Sequence, residues 1–412
     1  MKRKVLAVTV GGEPDPIVKA ISQHRPDFTI FFVTTEPGGG SRRFLLEDTE
    51  KGASILKRTG LAPEAYEIVT LPNPDDFEDC FNRMVEVLRE YERAGERLAD
   101  YTGGTKTMSA ALVAAALLQG WSLSLVSGER RDTVKVAKGT ELARRVRSAP
   151  FFLEHTLIQT RVLYEHHEFA SAAELLQELL SAAELPPQEQ RRLTRLCTFL
   201  RALAAWDRFA YSEAYDLLRT VGEAWPEGCK VLAQILGDKM LNYKVADLVG
   251  NALRRADQAR YEDAVLRLYR AVELLAQLRL QIQYQQDPGN LNLEALDMAA
   301  LPPDLAQRLR DRKEKEGRAW VGLVEAYEVL ASLHDPIGGV FREQQDPIKD
   351  LLGQRNNLLL IHGLKPIAKE DWERSHRLAC DFLEGALEAV GLTFSPLSFP
   401  RWEEVRERIL SV

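Results

Sequence analysis

The first 140 residues alternate short runs of β-branched and aromatic residues with stretches of helical periodicity. Strands separated by helices of ten or more residues predict a mostly parallel sheet with right-handed crossovers and helices on both faces. The predicted fold class of this part is therefore α/β, a doubly wound, Rossmann-like sheet. The predicted strands are 4–10, 29–33, 66–71, 97–100, 121–127 and 133–137.

Helical periodicity replaces this alternation from Pro150 to the end of the chain. The change predicts a domain boundary near 145–150 and an all-α second part. Its last 160 residues are expected to form a small bundle, with helices over 261–283, 322–334, 347–362 and 371–390. The tail from Phe394 contains two prolines and a short charged helix, and the sequence gives it no role.

A weak repeat runs through the helical part. An aromatic residue is followed by an alanine three positions later and a leucine seven positions later. Helical-hairpin repeats show this pattern, because alanine lets the paired helix approach while the larger residues fill the seam. Ordinary antiparallel helix packing is the alternative. The three copies are Phe169/Ala172/Leu176, Tyr211/Ala214/Leu218 and Tyr261/Ala264/Leu268.

A glycine pair directly follows the fourth predicted strand. Residues 97–112 indicate a strand, a tight turn at Gly103 and Gly104, and an alanine-rich helix. The start of this helix offers N–H groups and the positive end of its dipole, and Lys106 adds a charge. We expect four neighbouring hydroxyls to converge on the same anion, those of Thr102, Thr105, Thr107 and Ser109.

The loops after the first two strands reinforce this prediction. Gly11 and Gly12 follow Thr9, and glycines 38–40 follow Thr34. Doubly wound proteins bind ligands at the carboxyl ends of such strands, so we expect a phosphate or nucleotide site here. The spacing around Lys106 is not that of a Walker A loop, which disfavours ATP hydrolysis. The alternative is that the glycines only form the tight turns that every such fold needs.

The helix predicted over 347–362 carries two polar residues on its apolar stripe. Asp346 is expected to cap this helix, with Pro347 in its first turn. Arg355 and His362 lie about two turns, or roughly 10 Å, apart on the face that should be buried. A buried arginine is costly unless it is paired or the stripe lines a cleft or interface. The stripe consists of Ile348, Leu351, Leu352, Arg355, Leu358, Leu359 and His362.

An arginine and a histidine in one cleft suit cleavage of an RNA phosphodiester. The imidazole can move a proton at the 2'-hydroxyl or the leaving oxygen, and the guanidinium can stabilise charge on phosphorus. This chemistry requires no metal and demands a 2'-hydroxyl, so RNA would be cut and DNA spared. A two-fold dimer that pairs this face with itself would double the site.

Two alternatives to this interpretation stay open. Arg161 with His166 and His167 shows the same loose spacing, but an apolar residue follows Arg161, whereas the polar Asn356 follows Arg355. The later pair also lies on a well-defined apolar stripe, so we prefer it. Otherwise Arg355 is a buried structural arginine and His362 a residue at a helix end.

Composition limits the classes of protein that remain. The 412 residues, 45% hydrophobic, can form at least two cores. We expect neither a membrane span, since no window approaches the required length of apolar residues, nor an export signal. The cysteines Cys80, Cys197, Cys229 and Cys380 never form C-x-x-C. This argues against a zinc site or a disulfide framework and favours the reducing cytoplasm.

The formal charge of the chain is -7, from 54 basic and 61 acidic residues. An anionic ligand must therefore be met by local positive groups, because the surface as a whole is not basic. Tight, non-specific binding to duplex DNA is disfavoured, since it depends on many lysine and arginine contacts to phosphate.

Both motifs together resemble one family, the CARF-HEPN ribonucleases of type III CRISPR systems. In the branch concerned, a CARF domain precedes helical repeats and a C-terminal HEPN domain. The gap between Arg355 and His362 is at the long end of the family pattern. The segments that carry the resemblance are 11–14, 100–109, 268–275 and 355–363.

The resemblance implies a CARF-like ligand-sensing domain over 1–148, a helical, repeat-like linker over 149–250 and a HEPN-like ribonuclease domain over 251–412. It implies a cytoplasmic homodimer that binds a cyclic oligoadenylate as its allosteric activator and needs no other cofactor or metal. Neither a membrane nor DNA is an expected partner. The implied ligand-binding residues are Thr9, Gly11, Gly12, Thr102, Gly103, Gly104, Thr105 and Lys106.

The resemblance also assigns the catalytic residues, Arg355, Asn356 and His362 of both protomers. They would cut single-stranded RNA and leave a 2',3'-cyclic phosphate and a 5'-hydroxyl. Slow cleavage of the messenger ring by hydroxyls of the CARF pocket stays open. The alternative function is a non-catalytic, nucleotide-responsive helical adaptor in which Arg355 and His362 only secure a dimer seam.

Overall fold

The computed structural model describes residues 3–35, 40–128, 142–146, 149–182, 185–237, 241–356 and 366–410. Two units divide the chain, Met1–Leu153 and Glu154–Val412. The first contains a sheet flanked by helices, and the described part of the second is helical. In the described ranges no helix is both long and apolar enough to cross a bilayer. These elements agree with the predicted combination of an α/β part and an all-α part.

The described part of the first unit contains a six-stranded sheet of order β3-β2-β1-β4-β5-β6. Neighbouring strands from β3 to β5 are parallel, and β6 is antiparallel to β5. The first five predicted strands are confirmed. The predicted strand 133–137 lies outside the described residues. The strands are β1 (Lys4–Thr9), β2 (Phe28–Val33), β3 (Tyr66–Thr70), β4 (Glu96–Asp100), β5 (Ser122–Ser127) and β6 (Leu142–Val146).

Helices cover both faces of the sheet because successive side chains of a strand point to opposite sides. Val5 and Ala7 share a core with Leu112, whereas Leu6 and Val8 share a core with Ile17. Every residue of β2 is buried, as expected for a strand covered on both faces. The helices of this unit are α1 (Pro14–His24), α2 (Arg42–Leu46), α3 (Ile55–Thr59), α4 (Phe77–Arg89) and α5 (Lys106–Leu118), with a 3₁₀ turn at Pro63–Ala65.

The helical unit has one large core in its C-terminal half, in which the rings of Tyr327 and Phe341 stack and Phe382 meets both edge to face. Its helices are α6 (Ala149–Glu165), α7 (Phe169–Ala182), α8 (Pro187–Asp207), α9 (Tyr211–Thr220), α10 (Pro226–Leu236), α11 (Leu241–Asp257), α12 (Tyr261–Tyr284), α13 (Pro303–Glu316), α14 (Leu323–Ser332), α15 (Pro336–Glu343), α16 (Gln345–Asn356), α17 (Lys369–Glu388) and α18 (Trp402–Val405). Short 3₁₀ turns lie at Gly222–Ala224 and Leu293–Ala295, and Arg406–Leu410 is π-helical.

Three interhelical corners of this unit share one backbone geometry. Each corner has a left-handed residue two positions after one helix ends and two positions before the next begins: His167 (φ 61°), Phe209 (φ 65°) and Ala259 (φ 56°). The following helix starts at the aromatic residue of the predicted repeat in every case. The alanine and leucine of each copy are fully buried. The repeat is therefore a structural one, with a shared corner as its signature.

The aromatic position of the repeat departs from the prediction. Only Phe169 is fully packed into the seam, whereas Tyr211 and Tyr261 are half-buried. The Tyr211 hydroxyl donates a hydrogen bond of 2.8 Å to Asp247, so this ring serves a polar contact. A tyrosine at the edge of a seam can bury its ring and keep its hydroxyl paired.

Candidate functional site

The loops after β1 and β4 touch at the point where the strand order reverses, which is the usual ligand site of a doubly wound sheet. A Cβ atom on Gly11 would lie 2.5 Å from the backbone nitrogen of Gly104, and one on Gly103 would overlap the carbonyl oxygen of Thr9. Gly104 also has a φ of 86°, which side chains disfavour. The three glycines are thus required by this close approach.

Hydroxyl groups hold the glycine turn in place. Thr9 Oγ1 and Ser109 Oγ donate hydrogen bonds of 2.6 and 2.8 Å to the carbonyl oxygen of Gly103. Thr102 Oγ1 accepts a bond of 2.7 Å from the N–H of Val126 in β5. Each of these three hydroxyls binds the backbone of the fold. The expected convergence of the hydroxyls of Thr102, Thr105, Thr107 and Ser109 on an anion stays a prediction.

Thr105 and Lys106 start helix α5. Thr105 is the N-cap residue: its Oγ1 accepts from the N–H of Met108 at 3.1 Å and donates to the carbonyl oxygen of Pro74 at 2.9 Å. Lys106 is the first helical residue, and it is exposed. The first turn of a thirteen-residue helix supplies N–H groups and a positive dipole end, so a negative group is favoured beside Thr105 and Lys106.

An open cleft of about 460 Å³ lies against these loops. Of the residues predicted to bind the ligand, Gly11, Gly12, Gly104 and Thr105 line this cleft, whereas Thr9, Thr102, Gly103 and Lys106 are not part of its wall. The hydrogen bond between Thr9 and Gly103 joins the two loops that form this wall. The remaining lining residues are Val10, Thr34, Gly40, Ser41, Arg43, Phe44 and Met108.

The segment after β2, which was expected at this edge because of its glycines, also contributes two side chains that were not predicted. Thr34 and Ser41 close a loop by exchanging hydrogen bonds of 2.9 Å between each backbone N–H and the opposite hydroxyl. This brings Arg43 and Phe44 of α2 to the cleft. Glycines 38 and 39 of the predicted loop lie outside the described residues. In the sequence, Arg43 follows the loop at the end of β2, at the edge where a ligand was expected. This position was the one signal that could have identified it.

A buried polar chain supports the glycine turn from the side of β5. Asp100 Oδ1 accepts from the N–H of Thr102 at 3.1 Å, and Asp100 Oδ2 accepts from Ser124 Oγ at 2.7 Å. His24 Nε2 lies 2.8 Å from the same Ser124 Oγ. Burial raises the pKa of Asp100 and lowers the pKa of His24. These hydrogen bonds fix the direction in which the backbone leaves β4.

Helix α16 confirms part of the predicted nuclease helix. Ile348 and Leu351 are fully buried, in agreement with the apolar stripe. The helix begins at Gln345, so Asp346 lies within its first turn, and the prediction of Asp346 as the cap is wrong. Arg355 and Asn356 are its last two residues, and their side chains are not among the described ones. His362 lies outside the described residues.

Arg161 and His167, the competing pair, contact separate acidic partners. Arg161 binds Glu165 at 2.8 Å and Glu403 at 3.1 Å, and these carboxylates raise its pKa. His167 Nε2 lies 3.2 Å from Asp257 Oδ2, and burial lowers the pKa of its imidazole. These partners give both residues a structural role. The described residues contain no group of three or more His, Cys, Asp or Glu that could hold a metal ion.

Two family models match the helical part of the chain. The model of the Csm6 6H domain matches residues 153–234, and that of the Csm6 HEPN domain matches residues 233–386. The second match contains α16 and the segment that follows it. A comparison with curated proteins found no match.

One solved structure has a similar fold, and a second gives a much weaker match. Enterococcus italicus Csm6, bound to cyclic hexa-2'-fluoro-hexa-dAMP, has a TM-score of 0.60 at 12% identity, and the likeness covers 99% of each chain. Can2 from Sulfobacillus thermosulfidooxidans, in complex with cyclic tetra-adenylate, gives a weaker likeness, with a TM-score of 0.26 at 13% identity over 54% of this chain and 69% of that one. At such low identity, the first likeness indicates a common fold.

Proposed function

Because the chain belongs to the Csm6 family, we propose that it is an endoribonuclease of type III CRISPR antiviral defence, activated by a cyclic oligoadenylate. The HEPN match over residues 233–386 carries this proposal, since it includes Arg355, Asn356 and His362. The substrate is single-stranded RNA.

The activator binds in the sheet cleft. Its phosphates lie against the backbone of Gly11, Gly12 and Gly104 and the start of α5, where N–H groups and the helix dipole favour anions. Arg43 and Lys106 add positive charge at the wall and at the helix start. The Csm6 structure with a bound cyclic hexanucleotide supports a ligand of this class.

Catalysis requires both protomers of a homodimer. The guanidinium of Arg355 stabilises the charge that develops on phosphorus, and the imidazole of His362 transfers a proton. Asn356 acts as their polar partner. The attacking nucleophile is the 2'-hydroxyl of the RNA, so the products carry a 2',3'-cyclic phosphate and a 5'-hydroxyl, and no metal takes part.

The test is to incubate the purified protein with labelled single-stranded RNA and rings of three, four or six adenylates. We expect one ring size to switch on cleavage, with EDTA having no effect. Arg355→Ala and His362→Ala should each lower the rate by about 100-fold or more, because general acid–base and electrostatic contributions are of this size. Calorimetry should show unchanged ring binding by both variants.

Full activity of His362→Ala, or loss of activity in EDTA, would contradict the assignment. The adaptor alternative predicts no RNA degradation with any ring, and loss of the dimer on Arg355→Ala. Sedimentation of wild type and variant therefore separates the two functions.

Cleavage of the ring itself is tested in the same reaction without RNA. Thr9, Thr102 and Thr105 are bound to backbone groups, which favours binding over ring cleavage. Recovery of intact ring after prolonged incubation is the expected result.

A further inference from the structure

The C-terminal segment 396–403 packs against helices α6 and α11. The N–H of Leu397 donates to the carbonyl oxygen of Ala246 at 3.1 Å, and the Tyr164 hydroxyl donates to the carbonyl oxygen of Pro400 at 2.7 Å. A Cβ atom on Gly250 would collide with the carbonyl of Leu397, so α11 admits the segment only because it has a glycine there. This close fit gives the tail a defined position.

A pocket of about 460 Å³ lies between this segment and the two helices, and we call it the tail pocket. Aromatic rings form much of its wall. The centroids of Tyr164 and Trp402 are 5.5 Å apart, and those of Phe169 and Phe399 are 5.4 Å apart. Pockets with this size and an apolar lining are typical of small-molecule sites, in which a few polar groups fix the ligand.

One such polar group is Arg254, which lines the tail pocket with a side chain only 5% exposed. Its Nε donates to Asp207 Oδ1 at 2.8 Å, and its guanidinium carbon lies 4.0 Å from the ring centroid of Phe399. Among the described residues, neither Nη atom has a hydrogen-bond partner. Leaving buried donors of a charged group unpaired costs free energy, so an acceptor bound to these two atoms would be stabilising.

The charges around the pocket leave this guanidinium available. Asp207 is shared between Arg254 and Arg255. Of the acidic residues of the rim, Glu165 and Glu403 share Arg161, and Asp257 lies 3.2 Å from the imidazole of His167. The Nη atoms of Arg254 are almost fully covered, so an anion that reaches them from the pocket enters a largely apolar surrounding, where a charge-assisted bond is strong.

We propose that the tail pocket is a binding site for a small aromatic oxyanion of the nucleoside monophosphate class. The oxyanion accepts hydrogen bonds from both Nη atoms of Arg254. The flat ring lies among Tyr164, Phe169 and Trp402. This site is separate from the sheet cleft and from the residues assigned to RNA cleavage.

The test is calorimetry of the full chain with adenosine monophosphate, and with inorganic phosphate and adenosine as partial probes. We expect the monophosphate to bind at least tenfold more tightly than either partial probe. Arg254→Gln should weaken its binding at least tenfold. Arg255→Gln is the matched control, because it loses the same ion pair with Asp207 but does not line the pocket, and it should stay within about twofold of wild type.

Binding that survives Arg254→Gln would belong to another part of the chain, such as the sheet cleft, and would overturn the proposal. Equal losses in both variants would also overturn it, since they would reflect the shared ion-pair network. If Arg254→Gln fails to fold, Phe399→Leu replaces it: it keeps the guanidinium, removes the ring stacked on it and should weaken the monophosphate several-fold. An unchanged affinity in Phe399→Leu would count against the site.

Discussion

In the sheet cleft glycine backbone forms much of the wall, whereas in the tail pocket side chains form it. The cleft uses loops that follow β1, β2 and β4, with glycine where the loops touch and hydroxyls bonded to carbonyl groups. The tail pocket collects rings and a guanidinium from three segments far apart in the chain. The sheet cleft should therefore be most sensitive to a substitution that adds a Cβ atom. The tail pocket should be most sensitive to the loss of a functional group from a side chain.

The largest effect is expected from Gly11→Ala in the cleft. Its new Cβ atom would lie 2.5 Å from the nitrogen of Gly104, and two adjoining strands prevent the loops from separating. We expect a loss of about 3 kcal/mol in unfolding free energy, the upper end for overpacking, and ring binding weakened at least tenfold. Gly12→Ala is the matched control, since among the described atoms nothing lies within 4 Å of its Cβ position. Equal losses in urea unfolding of both variants would contradict the backbone-contact account.

Gly250→Ala tests the same principle in the helical unit, with a smaller expected cost. The added methyl group collides with Leu397, but the tail can move away, so we expect a loss of about 2 kcal/mol. Limited proteolysis should then cut the tail faster. Gly339→Ala, in the exposed middle of α15, should be neutral or stabilising, because alanine favours helix more than glycine does. A tail as resistant as in the wild type would contradict the predicted docking.

A buried carboxylate lies near each site, Asp100 near the sheet cleft and Asp247 near the tail pocket. The pH dependence of stability should distinguish these two groups from ordinary surface acids. Burial raises the pKa of Asp247 to about 6, against an ordinary value of 3.8, although hydrogen bonds from Tyr211 and Trp206 oppose the shift. Between pH 4 and 6 the folded protein therefore binds this proton more tightly than the unfolded chain does. Its contribution to stability is complete below pH 4 and is lost as the pH rises through 6.

Asp247→Asn removes this titration. Lowering the pH from 7 to 5 should stabilise the wild type by roughly 1 kcal/mol relative to Asp247→Asn. Urea unfolding of both proteins at the two pH values measures the difference. Asp100→Asn is the parallel variant in the sheet, because burial also raises the pKa of Asp100. The difference in stability between wild type and Asp100→Asn should change with pH in the same direction. A pH-independent difference between wild type and Asp247→Asn would refute the assigned shift.

The smallest effect on stability is expected from Lys106→Glu. An acid in the first turn of α5 suits the helix dipole, so stability should rise by about 0.3 kcal/mol. Ring binding should nevertheless weaken several-fold, because an anion then faces the phosphates. Lys230→Glu makes the same charge change at an exposed position of α10 and should leave binding unchanged. Unchanged affinity in Lys106→Glu would remove this residue from the ligand site.

The sequence predicted the cleft better than the pocket for a physical reason. Parallel strands with glycine loops place Gly11 and Gly104 at one edge of the sheet whatever the side chains around them. Arg254 meets Phe399 only through the packing of a tail that has no periodic pattern of its own. The backbone partners of Thr9, Thr102 and Thr105 could not be predicted, because a threonine that holds a backbone group looks the same in sequence as one that binds phosphate.

The helical unit carries one further lesson in its corners at His167, Phe209 and Ala259. Since the chain enters and leaves each of them in the same way, a helix pair closed by such a corner could be copied or exchanged without redirecting its neighbours. Two corners lie in the segment matched by the 6H domain and the third in that matched by the HEPN domain. The same corner therefore recurs on both sides of the border between the two matched segments.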